Sequence, residues 1–83
     1  MKIEVLYFAW LRERIGLPRE TVETEAATVA DLVAELYARE DRYAVAFSDM
    51  SAIRAAVDQD LVPLDTALSG AREVAFFPPM TGG

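Results

Sequence analysis

Val29, Leu32, Val33, Leu36 and Tyr37 stand at i, i+3, i+4, i+7 and i+8, the spacing of one apolar stripe along an α-helix. Thr28 offers a side-chain oxygen to the first free N–H groups, and Asp31 sets a carboxylate at the positive end of the helix dipole. The pattern predicts a helix from Val29 to about Glu40. Such a stripe must be covered, and in a chain of 83 residues the other apolar patterns are mostly those of strands. The constraint is therefore a sheet with this helix laid across one face.

The flanking segments supply the strands. In Lys2 to Phe8, Ile3, Val5 and Tyr7 share one parity, while Lys2, Glu4, Leu6 and Phe8 share the other. Ala9 to Ile15 spaces Leu11 and Ile15 by one helical turn and then meets Gly16 and Pro18, which predicts a short helix. Arg19 to Glu25 reads as a brief edge strand blunted by charge, with Val22 its one large apolar residue. Asp41 to Ser51 alternates at Tyr43, Val45 and Phe47 without framing turn residues, and is read as a loop with some extended character. Ala52 to Leu64 predicts a hairpin that turns at Asp58 to Asp60, with Ile53, Ala55, Val57, Val62 and Leu64 inward and Pro63 at an exposed or terminal position. Asp65 to Arg72 is a polar loop carrying Gly70, and Glu73 to Phe77 is the last strand. Strand, helix, strand, helix, hairpin, strand in that order predicts an α+β grasp: a mixed sheet with one main helix on one face.

Composition then removes most chemistries. A net charge of −6 opposes phosphate backbones and anionic lipid, so neither nucleic acid nor a membrane surface is an expected partner. No apolar run approaches the ~20 residues of a spanning helix, and no basic segment precedes one, which predicts a cytoplasmic protein. Cysteine and histidine are both absent. That excludes disulfides, thiolate nucleophiles, imidazole bases and Cys/His metal sites; no metal site is expected, and an enzyme complete in itself is not expected either.

What remains reactive is the main-chain end. The final strand runs into Pro78, Pro79, Met80, Thr81, Gly82 and Gly83. The prolines cannot continue a hydrogen-bonded ladder and favour extended backbone, so the expected division is a domain over 1–77 and a flexible, extended tail over 78–83. Gly82 and Gly83 carry no Cβ and fit a passage too narrow for other residues. Six residues reach at most about 20 Å at roughly 3.3 Å each, enough to carry a terminal carboxylate into a neighbouring protein. Strand parity adds a surface to this tail. If the charged side of the sheet faces water, Phe8 and Phe77 are outside, and Leu61 has the same outward parity opposite Val62. Apolar residues held there mark a partner surface.

The segments Glu73-Val-Ala-Phe-Phe-Pro-Pro-Met-Thr-Gly-Gly83, Ala55-Ala-Val-Asp-Gln-Asp-Leu-Val62, Asp41-Arg-Tyr-Ala44, Leu6-Tyr-Phe-Ala9 and Arg12-Glu13 closely resemble the family of molybdopterin synthase small subunits. The resemblance spans the chain and is most specific at the tail. It departs at Gly70-Ala71-Arg72, where the family often carries Asp-Gly-Asp, and at Tyr43, where Trp is frequent.

The resemblance implies a ubiquitin-like β-grasp sulfur carrier with no bound cofactor. A ubiquitin-activating-type adenylyltransferase would use ATP to adenylate Gly83. A sulfurtransferase or desulfurase would supply sulfur for a C-terminal thiocarboxylate, and the sulfur would pass to cyclic pyranopterin monophosphate in the large subunit of a heterotetramer. It further implies that Phe8, Leu61 and Phe77 dock on these partners and that Arg12 meets a partner acid.

The chemistry is coherent. A carboxylate is a poor acyl electrophile until adenylation supplies a leaving group, and a thiocarboxylate holds much of its charge on a nucleophilic sulfur. Two other readings share the sequence: a related carrier or modifier serving thiazole synthesis or lysine conjugation, and a plain interaction domain with a frayed end. The Phe-Phe-Pro-Pro context and the chain length favour molybdopterin synthesis.

Overall fold

In the computed structural model, which describes residues 1–79, the strand and helix patterns assemble into one five-stranded mixed sheet. The elements in chain order are β1 (Lys2–Tyr7), α1 (Ala9–Ile15), β2 (Arg19–Glu23), α2 (Val29–Arg39), α3 (Asp41–Ala46), a 3-10 turn (Met50–Ala52), β3 (Arg54–Val57), β4 (Asp60–Val62) and β5 (Glu73–Phe77). The strand order is β2-β1-β5-β3-β4. The first and last strands lie side by side and parallel at the centre, and every other pairing is antiparallel. This is the predicted grasp arrangement.

Parity decides what is buried. Ile3, Val5 and Tyr7 of β1, Val74 and Phe76 of β5, and Ala55 of β3 point to the helical side and join Leu11, Ile15, Val29, Leu32, Val33 and Leu36 in one core. At about 25 cal/mol per Å² of apolar surface removed from water, this shared core is the main stabilising term of a domain too small to hold a second one. Thr28 caps α2 as expected, its hydroxyl accepting the Asp31 N–H at 3.1 Å. Tyr37, read as part of the stripe, is half exposed instead, because at about 3.6 residues per turn it falls at the outer edge of the stripe that Val29, Leu32, Val33 and Leu36 define.

Asp41 to Ser51 corrects the reading of an extended loop. Six of these residues form α3. Tyr43, Ala46 and Phe47 are buried while Val45 is 56% exposed, so the controlling spacing is i, i+3, i+4 and not the alternation of Tyr43, Val45 and Phe47. The Asp65 to Arg72 loop also holds more than polar residues: Leu68 is fully buried and its N–H donates to the Ala27 carbonyl at 2.9 Å.

The β3–β4 hairpin turns through Asp58 and Gln59, both at positive φ, the backbone twist that matches two antiparallel strands. Asp58 Oδ1 accepts the N–H groups of Arg72 and Glu73, each at 3.0 Å, and so ties the hairpin to the start of β5. Gly70, at φ +79, makes the preceding turn that the family resemblance left undefined. No helix among the described residues is long and apolar enough to cross a membrane.

Candidate functional site

The face of the sheet away from the helices follows from the strand register. Arg19 pairs with Leu6, Leu6 with Ala75, Ala75 with Ala56, and Ala56 with Leu61. One row across the sheet is thus apolar from β1 to the outer edge at β4, where Leu61 is 70% exposed. Toward the start of β5 the same face is charged, with Glu4 opposite Glu73 and Thr21. There Arg19 and Thr21 donate to the Glu4 carboxylate at 2.5 and 2.9 Å and hold it below the usual carboxylate range. The outer face therefore has a polar end and an apolar end. The tail leaves from the apolar end.

At that end Phe8, Ala9, Ala75, Phe77, Pro78 and Pro79 line an open cleft of about 440 Å³. Each wall has a local cause. β1 stops at Tyr7, one residue earlier than the alternation predicts, and Phe8 becomes the N-terminal flank of α1 in extended conformation. Its N–H still donates to the Phe76 carbonyl at 3.1 Å, so the β1–β5 ladder holds it in place. Ala9 then turns the chain at φ +53, a left-handed conformation that costs a residue with a Cβ about 1 kcal/mol. The turn leaves Phe8 45% exposed above the sheet. Opposite, Phe77 ends β5, and Pro78 and Pro79 stay half-buried against the cleft as the ladder stops.

The expected contact residues divide accordingly. Phe8 and Phe77 meet in the cleft with Pro78 and Pro79. Leu61 lies outside it, on the same face but at the far edge of the sheet. Arg12 is exposed on α1, one helical turn from Phe8, and forms no ion pair among the described residues. Met80, Thr81, Gly82 and Gly83 lie outside the described residues. Leu6, Ala9, Ala56 and Ala75 were not singled out from sequence, although the parity that exposed Phe77 applies equally to Leu6 and Ala75. The small size of the three alanines carried no signal of its own.

The helical side is built differently. Glu20 Oε2 accepts the hydroxyl protons of Tyr7 at 2.8 Å and Tyr43 at 2.6 Å, and Glu20 Oε1 lies 3.5 Å from Arg39. Burial, followed by the Glu20 carboxylate, pushes both phenols above their ordinary range. Arg42 stacks on the Tyr43 ring at 5.0 Å and donates to the Ile15 carbonyl at 2.9 Å. This network joins β1, β2, α1, α2 and α3. It lies on the helical side of the sheet, whereas the cleft lies on the outer face.

An apolar cleft thus lies where β5 passes into Pro78 and Pro79. In a family comparison, residues 5–83 match the model of the ThiS family. The chain belongs to the ThiS family. Within it the chain also belongs with the molybdopterin synthase sulfur carrier subunits, being 44% identical over 81 residues to the one from Escherichia coli, with 98% of this chain and 99% of that protein covered. Among solved structures, SAMP1 from Haloferax volcanii superposes with a TM-score of 0.75 at 25% identity, covering 100% of both chains. The fold alone is shared with a chain in the complex of subunits 1 and 2 of the molybdopterin-converting factor from Helicobacter pylori, at a TM-score of 0.64 and 23% identity over 100% of both chains. The ThiS-family fold is thus the frame in which the cleft sits.

Proposed function

We propose that this chain is the sulfur-carrying small subunit of a molybdopterin synthase, with Gly83 as the acyl end that bears the sulfur. The cleft formed by Phe8, Ala9, Ala75, Phe77, Pro78 and Pro79 carries the reading. It offers apolar surface where the chain leaves the domain, so a partner seated there receives the tail directly.

The steps balance without side-chain catalysis from this chain. The Gly83 carboxylate attacks ATP on an adenylyltransferase and pyrophosphate leaves. A persulfide carried by a sulfurtransferase or desulfurase then displaces AMP to give an acyl disulfide, and a thiol of the partner enzyme attacks its outer sulfur, which forms a partner disulfide and releases the thiocarboxylate. On the large subunit that sulfur attacks a carbon of the cyclic pyranopterin monophosphate, and an oxygen substituent leaves that carbon as the carbon–sulfur bond forms. Water cleaves the acyl–sulfur bond, so the sulfur stays on the substrate and Gly83 returns as a carboxylate. The absence of cysteine means that no side chain competes for the sulfur. The acidic balance and the lack of a membrane-spanning helix among the described residues are compatible with work in the cytoplasm.

Support for the large-subunit partner comes from the names of the relatives and from the Helicobacter pylori pair of subunits. Arg12, beside Phe8, is proposed to meet a partner carboxylate at the cleft margin, and Leu61 to extend the contact across the sheet.

Incubation with ATP, the cognate adenylyltransferase and a sulfur donor is expected to raise the intact mass by one oxygen-to-sulfur exchange. An unchanged mass would overturn the carrier role. The likeness to SAMP1, named elsewhere among these neighbours as a small archaeal modifier protein, favours a second reading in which Gly83 is joined to a lysine. Conjugates through an isopeptide bond in the same mixture would support that reading instead.

A further inference from the structure

The cations of this acidic chain are unevenly used. Arg19, Arg39 and Arg42 are paired with Glu4, Glu20 and Glu40 on or near the helical and polar parts of the fold. Arg14 stacks on Trp10 at 4.4 Å. Arg54 does neither. It is exposed and stands directly across from Phe77 in the β3–β5 register, on the outer face at the end where the tail leaves. Its Nη1 donates to the carbonyls of Ser51 at 3.1 Å and Ile53 at 3.0 Å, which fixes the guanidinium beside its own strand. Nε and Nη2 have no carboxylate partner among the described residues. In a chain with 14 acidic residues against 8 basic ones, an anchored arginine without an acid, next to an exposed apolar cleft, is the arrangement of a prepared contact.

We propose that Arg54 is a second docking cation, which receives a carboxylate of the large subunit at the margin opposite Arg12 and so determines which partner surface the cleft accepts. The inference rests on the sulfur-carrier reading and adds to it the chemistry of the opposing surface. Arg12 lies one turn from Phe8 on α1, and Arg54 lies across from Phe77 on β3. The two cations thus bracket the cleft from different elements, while the strand acids of this face, Glu4, Glu23 and Glu73, sit at its far end. A partner that complements this face has an apolar protrusion with carboxylates on both sides of it. The planar guanidinium, already held at Nη1, has remaining N–H groups without a partner among the described residues, and these can grip such a carboxylate with less ordering than a lysine would need. Charges at the rim of an interface act chiefly on the association rate and on selectivity.

The test is binding of the full chain to the cognate large subunit, followed by stopped flow and calorimetry over a range of salt concentrations, for wild type, Arg54→Gln, Arg54→Lys and Arg54→Glu. Arg54→Gln is expected to weaken binding by about two- to fivefold, and Arg54→Glu by about tenfold or more, chiefly through a slower association rate. Both variants should show a flatter salt dependence than wild type, and Arg54→Lys should restore most of the slope. If wild type binds and Arg54→Gln and Arg54→Glu bind equally well at low salt, the inference is overturned while the carrier reading stands. A loss that is the same at every salt concentration, accompanied by a lower unfolding midpoint, would assign Arg54 to holding the Ser51 turn and would also overturn it. Absence of binding by the wild type would overturn the carrier reading together with this inference.

Discussion

Phe76 and Phe77 are neighbours in one strand and belong to opposite sides of the molecule. Phe76 is fully buried, with its ring edge-on to Phe47 at 5.2 Å and stacked with Tyr7 at 6.4 Å. Phe77 closes a cleft open to solvent. The same contrast runs through the sheet: the helical face holds a packed core with a hydrogen-bonded Glu20 network at its margin, and the outer face holds apolar residues that no helix among the described residues covers. The lesson is that strand period, more than residue type, separates what folds this chain from what it offers to others.

The largest effect that could break this contrast belongs to the core. Phe76→Ala should cost about 3 to 5 kcal/mol of stability, which for a domain of this size lowers the unfolding midpoint by well over ~10 °C. A loss below about 1 kcal/mol in urea or thermal unfolding would mean that the two faces are not energetically distinct. Phe77→Asp tests the other side. Unfolding should shift by less than about 1 kcal/mol, whereas affinity for the large subunit should fall by about tenfold or more, as at a buried aromatic anchor. Parallel loss of folding and docking would return Phe77 to the core.

A smaller effect comes from the phenols. Tyr7 and Tyr43 titrate higher in the folded chain than in the unfolded one, so the folded state keeps protons that the unfolded state releases. Their contribution is fully present below the ordinary phenol value of 10.0 and is lost as the pH rises above it. Unfolding in urea from pH 8 to 11 should show this decline on the alkaline side, and Tyr43→Phe should reduce it. The variant itself should lose about 1 to 2 kcal/mol at neutral pH, because Glu20 gives up one donor. An unchanged alkaline slope in Tyr43→Phe would remove Tyr43 from the network.

Much of this contrast was legible in the sequence because it depends on local periods. The alternation in β1 and β5 gave the faces, and the stripe from Val29 to Leu36 with its Thr28 cap gave α2. α3 was missed for a physical reason. In a six-residue helix only Tyr43, Ala46 and Phe47 report the helical period, Val45 imitates a strand between them, and the Glu40 side chain pairs with Arg42 and caps no backbone N–H that would mark the start. Leu68 is one buried residue in a loop and has no period at all. Tyr37 fits the stripe in sequence and is half exposed in space, since at about 3.6 residues per turn it falls at the outer edge of that stripe. The candidate site was half legible. Phe8, Leu61 and Phe77 followed from parity, but the cleft joins Ala9, Ala75 and Pro79 from separate segments, and its flanking Arg54 emerges only when the β3–β5 register is known.

The most direct measurement of the central claim is single-turnover sulfur transfer from a chain whose Gly83 thiocarboxylate has been installed chemically, mixed with the cognate large subunit and its pyranopterin substrate. The account predicts that wild type loses its sulfur to the substrate and returns to the carboxylate, while loaded, folded Phe77→Asp keeps most of its sulfur over the same interval. Retention of sulfur by wild type, or equal transfer by the two proteins, would contradict it.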